Sequence, residues 1–443
     1  MLGSSRSTHM HFRALLLSVL ASTSGLWATD LTIRPAVELQ FPAVANQFLQ
    51  VESSSDLIQW SDAGSWFVRQ TNLITQLVGA ADSARYFRLA QGEVRNLDAI
   101  LEGIRTARKV PALGCAIIRS NRIVGFGVTG VRKWDLTEKV TPADVWHHGS
   151  LTKSMTATLA ALLVEQGKIQ WTTKLVDLFP ERAAAMHAGW KTVTLELLLA
   201  NRGGAPEGLG SLWDQLWVQS GTPVEQRLFL FDRLTASAPK NPPGTKYEYS
   251  NAGFALAGMM LERVMGRPWE QLITEELFIP LGMTSAGFGV PASPRYVNQP
   301  WGHVGAGNTR TPMAPGHDAD NPPSIGPAGT VHCSLVDMAR YVAFHLAGER
   351  GEGGLLLSPA SFTKLHQAVP DNQNYALGWV VSDRPWAKGK TMSHSGSNLQ
   401  WFTNVWIAPN QDWACVVVAN WGNDPGAFQA TDAVVARMVQ EFL

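Results

Sequence analysis

Residues 146–160 read Trp-His-His-Gly-Ser-Leu-Thr-Lys-Ser-Met-Thr-Ala-Thr-Leu-Ala, and the reading of the whole chain turns on them. Beyond Lys153 the pattern is helical, with Met155, Leu159, Leu162, Leu163 and Val164 supplying a broad apolar face. Ser150 and Lys153 stand three residues apart at the start of that helix, so they are neighbours on one face. A serine hydroxyl is a poor nucleophile until a base takes its proton. Lysine serves as that base only where burial or a nearby positive charge lowers its pKa. The helix N-terminus also favours developing negative charge. The spacing alone is weak, because Ser237 with Lys240 and Ser361 with Lys364 repeat it. Further groups must single out Ser150.

Upstream, His11 and Arg13 precede an apolar run over residues 14–21 and small residues to Ala28. A basic start, a short apolar stretch and a small-residue end describe a secretory leader. The run is too short to span a bilayer. We therefore expect residues 1–28 to be a leader, with 1–9 as extra sequence and Met10 as a natural start. We expect the mature protein to be exported, periplasmic or extracellular. No later stretch offers 18 uninterrupted apolar residues.

With 443 residues, 45% hydrophobic and 16% charged, the chain can bury a large core in two or three domains. Lys plus Arg and Asp plus Glu each number 36, so no electrostatic case exists for a nucleic acid or an anionic membrane partner. Cys115, Cys333 and Cys415 are far apart and odd in number. They form no disulfide framework and lack metal spacing, and buried free thiols are the expected state. The eleven histidines include no His-x-x-x-His pair and no acidic cluster, so no metal and no cofactor is expected.

Residues 31–90 alternate in short segments separated by Ser, Asp and Gly clusters, which predicts a small all-β accessory module. The catalytic body is expected over 95–443, with α/β parts at about 95–165 and 325–443 around a mostly helical insert at about 166–324. Residues 97–104 carry a helical stripe, and apolar runs at 114–118 and 123–128 flank a hairpin turn. Strands are expected at 378–382, 403–408 and 413–420, and a helix closes the chain. The fold class is therefore α+β, an antiparallel sheet assembled from both ends of the chain and flanked by helices.

Two more motifs lie downstream. Tyr249-Ser-Asn251 follows Pro243-Gly244 and precedes a Gly/Ala-rich helix. Its phenol can move a proton between serine and a leaving group, and the Asn251 amide can hold Lys153 and a substrate carbonyl. His394-Ser-Gly396 is expected at the start of an edge strand. Each has decoys, Tyr296-Val-Asn298 for the first and His147, His187 and His303 for the second. The ordered set of three, each in its proper local setting, is specific. It resembles the serine β-lactamase and penicillin-binding superfamily, in the branch of class C β-lactamases, D-alanyl-D-alanine carboxypeptidases and family VIII carboxylesterases. Residues 197–204 and 327–340 add weaker likeness, and the resemblance covers roughly residues 95–443.

The resemblance implies a β-lactamase/transpeptidase-like fold and a role for each motif residue. Ser150 is the implied acyl-forming nucleophile and Lys153 its proton partner. Tyr249 is the implied base in acylation and acid toward the leaving group. Asn251, His394 and Gly396 orient substrate, and the backbone N–H groups of Ser150 and Ser397 form the oxyanion hole. Two departures bear on substrate. His394 stands where β-lactamases usually carry lysine, and a neutral histidine weakens dependence on an anionic group. Asn201-Arg202 replaces the family's usual residues, and the His147-His148 doublet is also unusual; packing is its favoured role. A Gly-x-Ser-x-Gly elbow is absent, so an α/β-hydrolase is unsupported. Three readings follow: an esterase on small acyl esters, a hydrolase of β-lactams or D-amino-acid peptides, and a non-catalytic binding protein on the same fold. Trp386, Trp401 and Trp406 suit an apolar cleft or a core equally. The expected partner is a small ester, amide or β-lactam; oligomeric state is not legible.

Overall fold

The computed structural model of the chain describes residues 36–43, 48–54, 61–67, 72–79, 86–91 and 94–443, the last span apart from 307, 353–355, 371 and 423–424. The expected leader lies outside the described residues. The chain divides into two units, one ending at Val94 and one running from Arg95 to Leu443.

The first unit holds β1 (Ala36–Ala43), β2 (Phe48–Ser54), β3 (Ser61–Phe67), β4 (Asn72–Gly79) and β5 (Tyr86–Gln91). β1 pairs with β4, and β2 lies between β3 and β5, all antiparallel. Leu49 and Val51 are buried on β2 two residues apart, as the period of a strand requires.

The second unit begins with β6 (Arg95–Asn96), α1 (Asp98–Arg108) and the hairpin β7 (Ala112–Arg119) to β8 (Arg122–Gly130). Ser120 and Asn121 turn that hairpin at φ 46° and 59°, the positive values a two-residue turn needs to match strand twist. β9 (Val145–His147) leads into α2 (Thr152–Glu165). The insert then supplies α3 (Leu175–Leu178), α4 (Leu195–Leu199), α5 (Ser211–Trp217), α6 (Pro223–Thr235), α7 (Asn251–Met265) and α8 (Trp269–Ile273). Short strands β10 (Gly287–Phe288), β11 (His303–Val304) and β12 (Thr311–Pro312) precede α9 (Gly326–Gly329). The chain returns through β13 (Val331–Ser334), α10 (Leu335–Glu349), α11 (Pro359–His366), β14 (Val380–Arg384), β15 (Gly389–Ser397), β16 (Phe402–Ala408) and β17 (Trp413–Ala419), and closes with α12 (Pro425–Phe442).

Seven strands form one sheet in the order β14-β15-β16-β17-β7-β8-β6, antiparallel except where β6 runs parallel to β8. The two ends of the chain meet at β17 and β7, where Val416 faces Ala116. β17 is buried at every position, so its side chains are apolar on both faces instead of alternating. One face packs Leu113, Cys115, Ile117, Cys415 and Val417 against Leu101 of α1 and Val434 and Met438 of α12. α10 covers the other face at β7 and β17. Each fully buried aliphatic side chain in these layers contributes about 1.5–3 kcal/mol. The α+β architecture expected from the sequence is the one observed.

The insert is tied by a buried charge cluster. The fully buried Arg227 guanidinium of α6 bonds Glu262 of α7 at 2.6 and 3.2 Å and Glu270 of α8 at 2.8 and 2.9 Å. All three cysteines are buried and free, and the Cys115 and Cys415 sulfurs lie 3.8 Å apart, well beyond a disulfide bond.

One expectation needs correction. The strand bearing His394 is not the edge of the sheet, because β14 lies outside it and pairs with Gly389–Ser393, the stretch just before His394. His394 also lies near the strand's end, not its start. Of the three tryptophans left equally open to cleft or core, Trp401 is fully buried edge-on to Trp146, and the partly buried Trp386 packs edge-to-face on the partly buried Trp406 and on Trp413 against the core.

Candidate active site

The site is built where the start of α2 meets the end of β15. Gly149 turns the chain at φ 49°, Gly149–Leu151 form one tight helical turn, and α2 follows. A side-chain carbon on Gly149 would fall 2.4 Å from the Ser397 nitrogen. One on Gly396 would fall 1.9 Å from the His148 oxygen and 2.8 Å from the Leu151 nitrogen. Two glycines, 247 residues apart by position, therefore let two backbones touch. This close approach brings the Ser397 backbone beside Ser150.

Every residue of α2 from Thr152 to Leu163 is buried. A helix apolar or small on all sides is a core helix, and Lys153 is carried into the interior with it. Its Nζ donates to Asn251 Oδ1 at 2.6 Å and to the Ala328 carbonyl at 3.0 Å, and lies 3.0 Å from Ser150 Oγ. It also sits 4.7 Å from the centre of the Tyr249 ring. Burial pushes the ammonium well below its ordinary range. In the neutral amine two N–H groups match the two carbonyl oxygens, and the lone pair faces the serine hydroxyl. That is the geometry of a base poised on a nucleophile.

The Tyr249 phenol faces the same pair, with Lys153 Nζ over its ring and Ser150 close enough to act on its proton affinity. Burial raises its phenol above the usual range, so it holds its proton near neutral pH and is a donor. Asn251 begins α7, whose N-cap is Ser250, with its hydroxyl accepting from the Gly253 N–H at 3.2 Å. The capped helix start is what aims Asn251 at Lys153.

His394 is buried on β15. Its Nδ1 lies 2.6 Å from the Ser395 carbonyl and its Nε2 lies 3.3 Å from the Tyr375 hydroxyl. A carbonyl only accepts, so Nδ1 carries the proton and Nε2 accepts from Tyr375. Burial lowers His394 to about 4, and a proton on Lys153 would push it the same way. It is neutral at pH 7.

The structure thus brings Ser150, Lys153, Tyr249 and Asn251 into direct contact, with His394, Gly396 and Ser397 on the adjoining strand. Two neighbours, Asn201 and Arg202, were given no role in the sequence reading. The Asn201 backbone oxygen accepts from Glu248 N–H at 2.8 Å and its Oδ1 from Ser250 N–H at 3.0 Å, so it grips both sides of Tyr249. Its φ of 56° suits asparagine. Arg202 donates to the carbonyls of Pro370 and Gly244 and steadies the turn before Tyr249. These contacts account for Asn201-Arg202. The only sequence signal was that departure from the family pattern.

The histidine doublet is structural. His147 Nδ1 accepts from Gly149 N–H at 3.1 Å, which leaves Nε2 to donate to Asp320 at 2.7 Å. His148 Nε2 donates to the Cys333 carbonyl at 3.2 Å and Nδ1 accepts from Thr403 at 3.1 Å. Both fix the turn that presents Ser150. Among the described residues no three His, Cys, Asp or Glu side chains converge as metal ligands.

The beta-lactamase family model matches residues 97–439, well over half the chain. The protein belongs to the beta-lactamase family. Within this family it is 26% identical over 330 residues to penicillin-binding protein 4 of Amycolatopsis lactamdurans, covering 72% of this chain and 84% of that one. It is 26% identical over 305 residues to an unguisins hydrolase of Aspergillus campestris, covering 63% of this chain and 53% of the relative. A penicillin-binding protein homologue from Pyrococcus abyssi, described as octameric, superimposes with a TM-score of 0.61 at 22% identity, covering 78% of each chain. EstCE1, described as a hydrolase with promiscuous acyltransferase activity, gives 0.62 at 17% identity, covering 75% of this chain and 97% of that one. The beta-lactamase-family fold is thereby shown, and the chain is a hydrolase of the serine β-lactamase and penicillin-binding group.

Proposed function

We propose that the protein is a carboxylesterase of family VIII type that cleaves small acyl esters through an acyl-enzyme on Ser150. The observation that carries this reading is the desolvated Lys153 amine 3.0 Å from Ser150 Oγ, beside a neutral histidine where a fixed cation would serve an anionic substrate. Lys153 takes the Ser150 proton as Oγ attacks the ester carbonyl. The sequence reading gave that task to Tyr249. A phenol held protonated by burial suits the later step better, donating to the departing alkoxide. The tetrahedral oxyanion is received by the backbone N–H groups of Ser150 and Ser397, each such donor lowering the barrier by about 3–4 kcal/mol. Water then attacks the acyl-serine with the same groups in reverse.

A second reading is a hydrolase of β-lactams or D-amino-acid peptides, supported by the identity to penicillin-binding protein 4. Either activity fits action outside the cytoplasm, consistent with the leader-like residues 11–28; no helix of the described residues is long and apolar enough to cross a membrane. We assign the N-terminal β-unit an accessory role, since it holds none of the site residues.

Intact-mass measurement of labelling by a fluorophosphonate and by a penicillin, with Ser150→Ala beside wild type, tests the nucleophile. Turnover of p-nitrophenyl butyrate against a chromogenic cephalosporin ranks the substrates. Labelling lost in Ser150→Ala with the ester turned over faster is the expected result. Faster cephalosporin turnover selects the second reading, and absence of both labelling and turnover overturns the catalytic assignment.

A further inference from the structure

Residues 205–207 lie against Tyr249, the residue read as proton donor to the leaving group. The Pro206 carbonyl accepts from Ser250 Oγ at 2.6 Å, and the Glu207 N–H donates to Glu248 Oε1 at 3.3 Å. Glu248 and Ser250 are the neighbours of Tyr249 on either side, so Glu207 is fixed through its backbone at the edge of the site. Its side chain stays exposed. Among the described residues, its carboxylate accepts no hydrogen bond and makes no ion pair. Two cations of the same region are committed elsewhere, Lys240 to Glu248 and Arg202 to two backbone carbonyls.

Aromatic rings stand beside that carboxylate. Tyr247 is half-buried, with its ring 5.6 Å from that of Tyr375, and Tyr375 is edge-on to Tyr249 at 6.4 Å. Burial, helped by the negative charge of Glu207, raises the Tyr247 phenol to about 12. Burial raises Tyr249 in the same sense, with Glu207 again adding to it. One free carboxylate is therefore within electrostatic reach of two tyrosines, one partly open to solvent and one at the nucleophile. Both phenols keep their protons near neutral pH, so their rings are uncharged. A carboxylate beside neutral aromatic faces is the surrounding that attracts an ammonium group, by charge and by the ring quadrupole together. Neutral Lys153 and neutral His394 add no positive charge to oppose it.

We propose that Glu207 and Tyr247 determine leaving-group specificity by receiving an ammonium group on the alcohol portion of the ester, so that esters of amino alcohols are preferred over neutral esters of the same shape. This rests on the reading of Ser150 as the acylated nucleophile and of Tyr249 as the donor to the departing alkoxide. That reading puts the alcohol portion beside Tyr249, and hence beside residues 205–207. Neither Glu207 nor Tyr247 touches the reacting atoms, so the preference is expected mostly in KM.

The test compares kcat/KM for butyrylcholine with that for 3,3-dimethylbutyl butyrate, followed by titration of the released acid. The two esters share one shape and differ by a cationic nitrogen in place of a carbon. Wild type is expected to favour the choline ester about tenfold, the size of one cation–π or charge-assisted contact. Glu207→Gln keeps the side-chain size and the backbone bond, and is expected to bring the ratio close to one; Glu207→Lys is expected to bring it below one. A general structural role would lower both esters together. A wild-type ratio near one, or a ratio unchanged in active Glu207→Gln, overturns the inference while the esterase reading stands, as does cleavage of p-nitrophenyl butyrate with neither alkyl ester cleaved. Should Glu207→Gln fail to fold, Tyr247→Leu decides, since loss of the ring must lower the ratio and an unchanged ratio sinks the idea. A wild type active on none of the three esters overturns the esterase reading and this inference together.

Discussion

A lysine stripped of water is a different chemical group from one at the surface. Lys153 is lowered by burial alone, and with no carboxylate among its hydrogen-bond partners nothing restores the charge. As a base it works when deprotonated, so activity is lost as pH falls through its depressed pKa. The expected kcat/KM profile for p-nitrophenyl butyrate reaches its plateau near neutral pH; a rise continuing to about pH 10, the range of an ordinary lysine, counts against Lys153 as the base. Lys153→Met is expected to slow acylation by a factor on the order of 10²–10⁴, read by stopped-flow with the ester. Gly396 is constrained by space, not by charge. Gly396→Ala places a carbon 1.9 Å from the His148 oxygen, forcing β15 away from the Ser150 turn. Losing alignment of the Ser397 donor is expected to reduce kcat by about 10²–10³, with the far-UV circular dichroism retained.

At the level of the elements, α2 is held by a chain of hydrogen bonds reaching the surface. Lys390 donates to Glu349 at 2.7 Å, Glu349 receives His366 at 2.8 Å, and His366 receives His345 at 2.8 Å. His345 meets Thr158 of α2 at 3.3 Å, and Thr158 meets Tyr341, which donates to Ser154 at 2.9 Å. Ser154 donates to the Leu151 carbonyl at 2.8 Å, one residue from the nucleophile. Glu349 fixes the histidine protons: it accepts from His366 Nδ1, so His366 Nε2 accepts from His345 Nδ1. His345 Nε2 is then an acceptor facing Thr158, whose one hydroxyl proton is shared between that nitrogen and the Ser154 carbonyl at 2.9 Å. His345→Leu leaves His366 Nε2 and Thr158 without these partners, at an expected cost of about 1–3 kcal/mol. Urea unfolding at pH 7 measures it, and an unchanged midpoint would deny the chain any structural role.

For the whole molecule, buried neutral histidines set the response to acid. Burial lowers His148 to about 3 and His303 and His394 to about 4, and lowers His332, His345 and His366 as well. In the unfolded chain each titrates near 6.5. Folded values below unfolded ones mean the stabilisation is complete above about pH 6.5. It is lost progressively as pH falls toward 4, because the unfolded state binds protons first. Denaturant midpoints at pH 7, 6, 5 and 4.5 are expected to fall steadily at constant m-value. A flat response across that window would contradict the buried neutral state of these rings.

The amino-acid sequence by itself determined the helix after Ser150, the hairpin at residues 119–122 and the strands that close the sheet, because period and turn chemistry are local. It also determined the ordered polar set of Ser150, Lys153, Tyr249, Asn251 and His394, because that chemistry resides in residue type. Only the tertiary structure decided what state those groups are in. Burial of Lys153 depends on helices and loops 98 to 175 residues away, such as those bearing Asn251 and Ala328. The neutrality of His394 depends on its burial, the grip on Tyr249 on Asn201, and the place of β15 inside the sheet on β14. Proton affinity and hydrogen-bond satisfaction are set by what surrounds a side chain in space, and no periodicity along the chain records that.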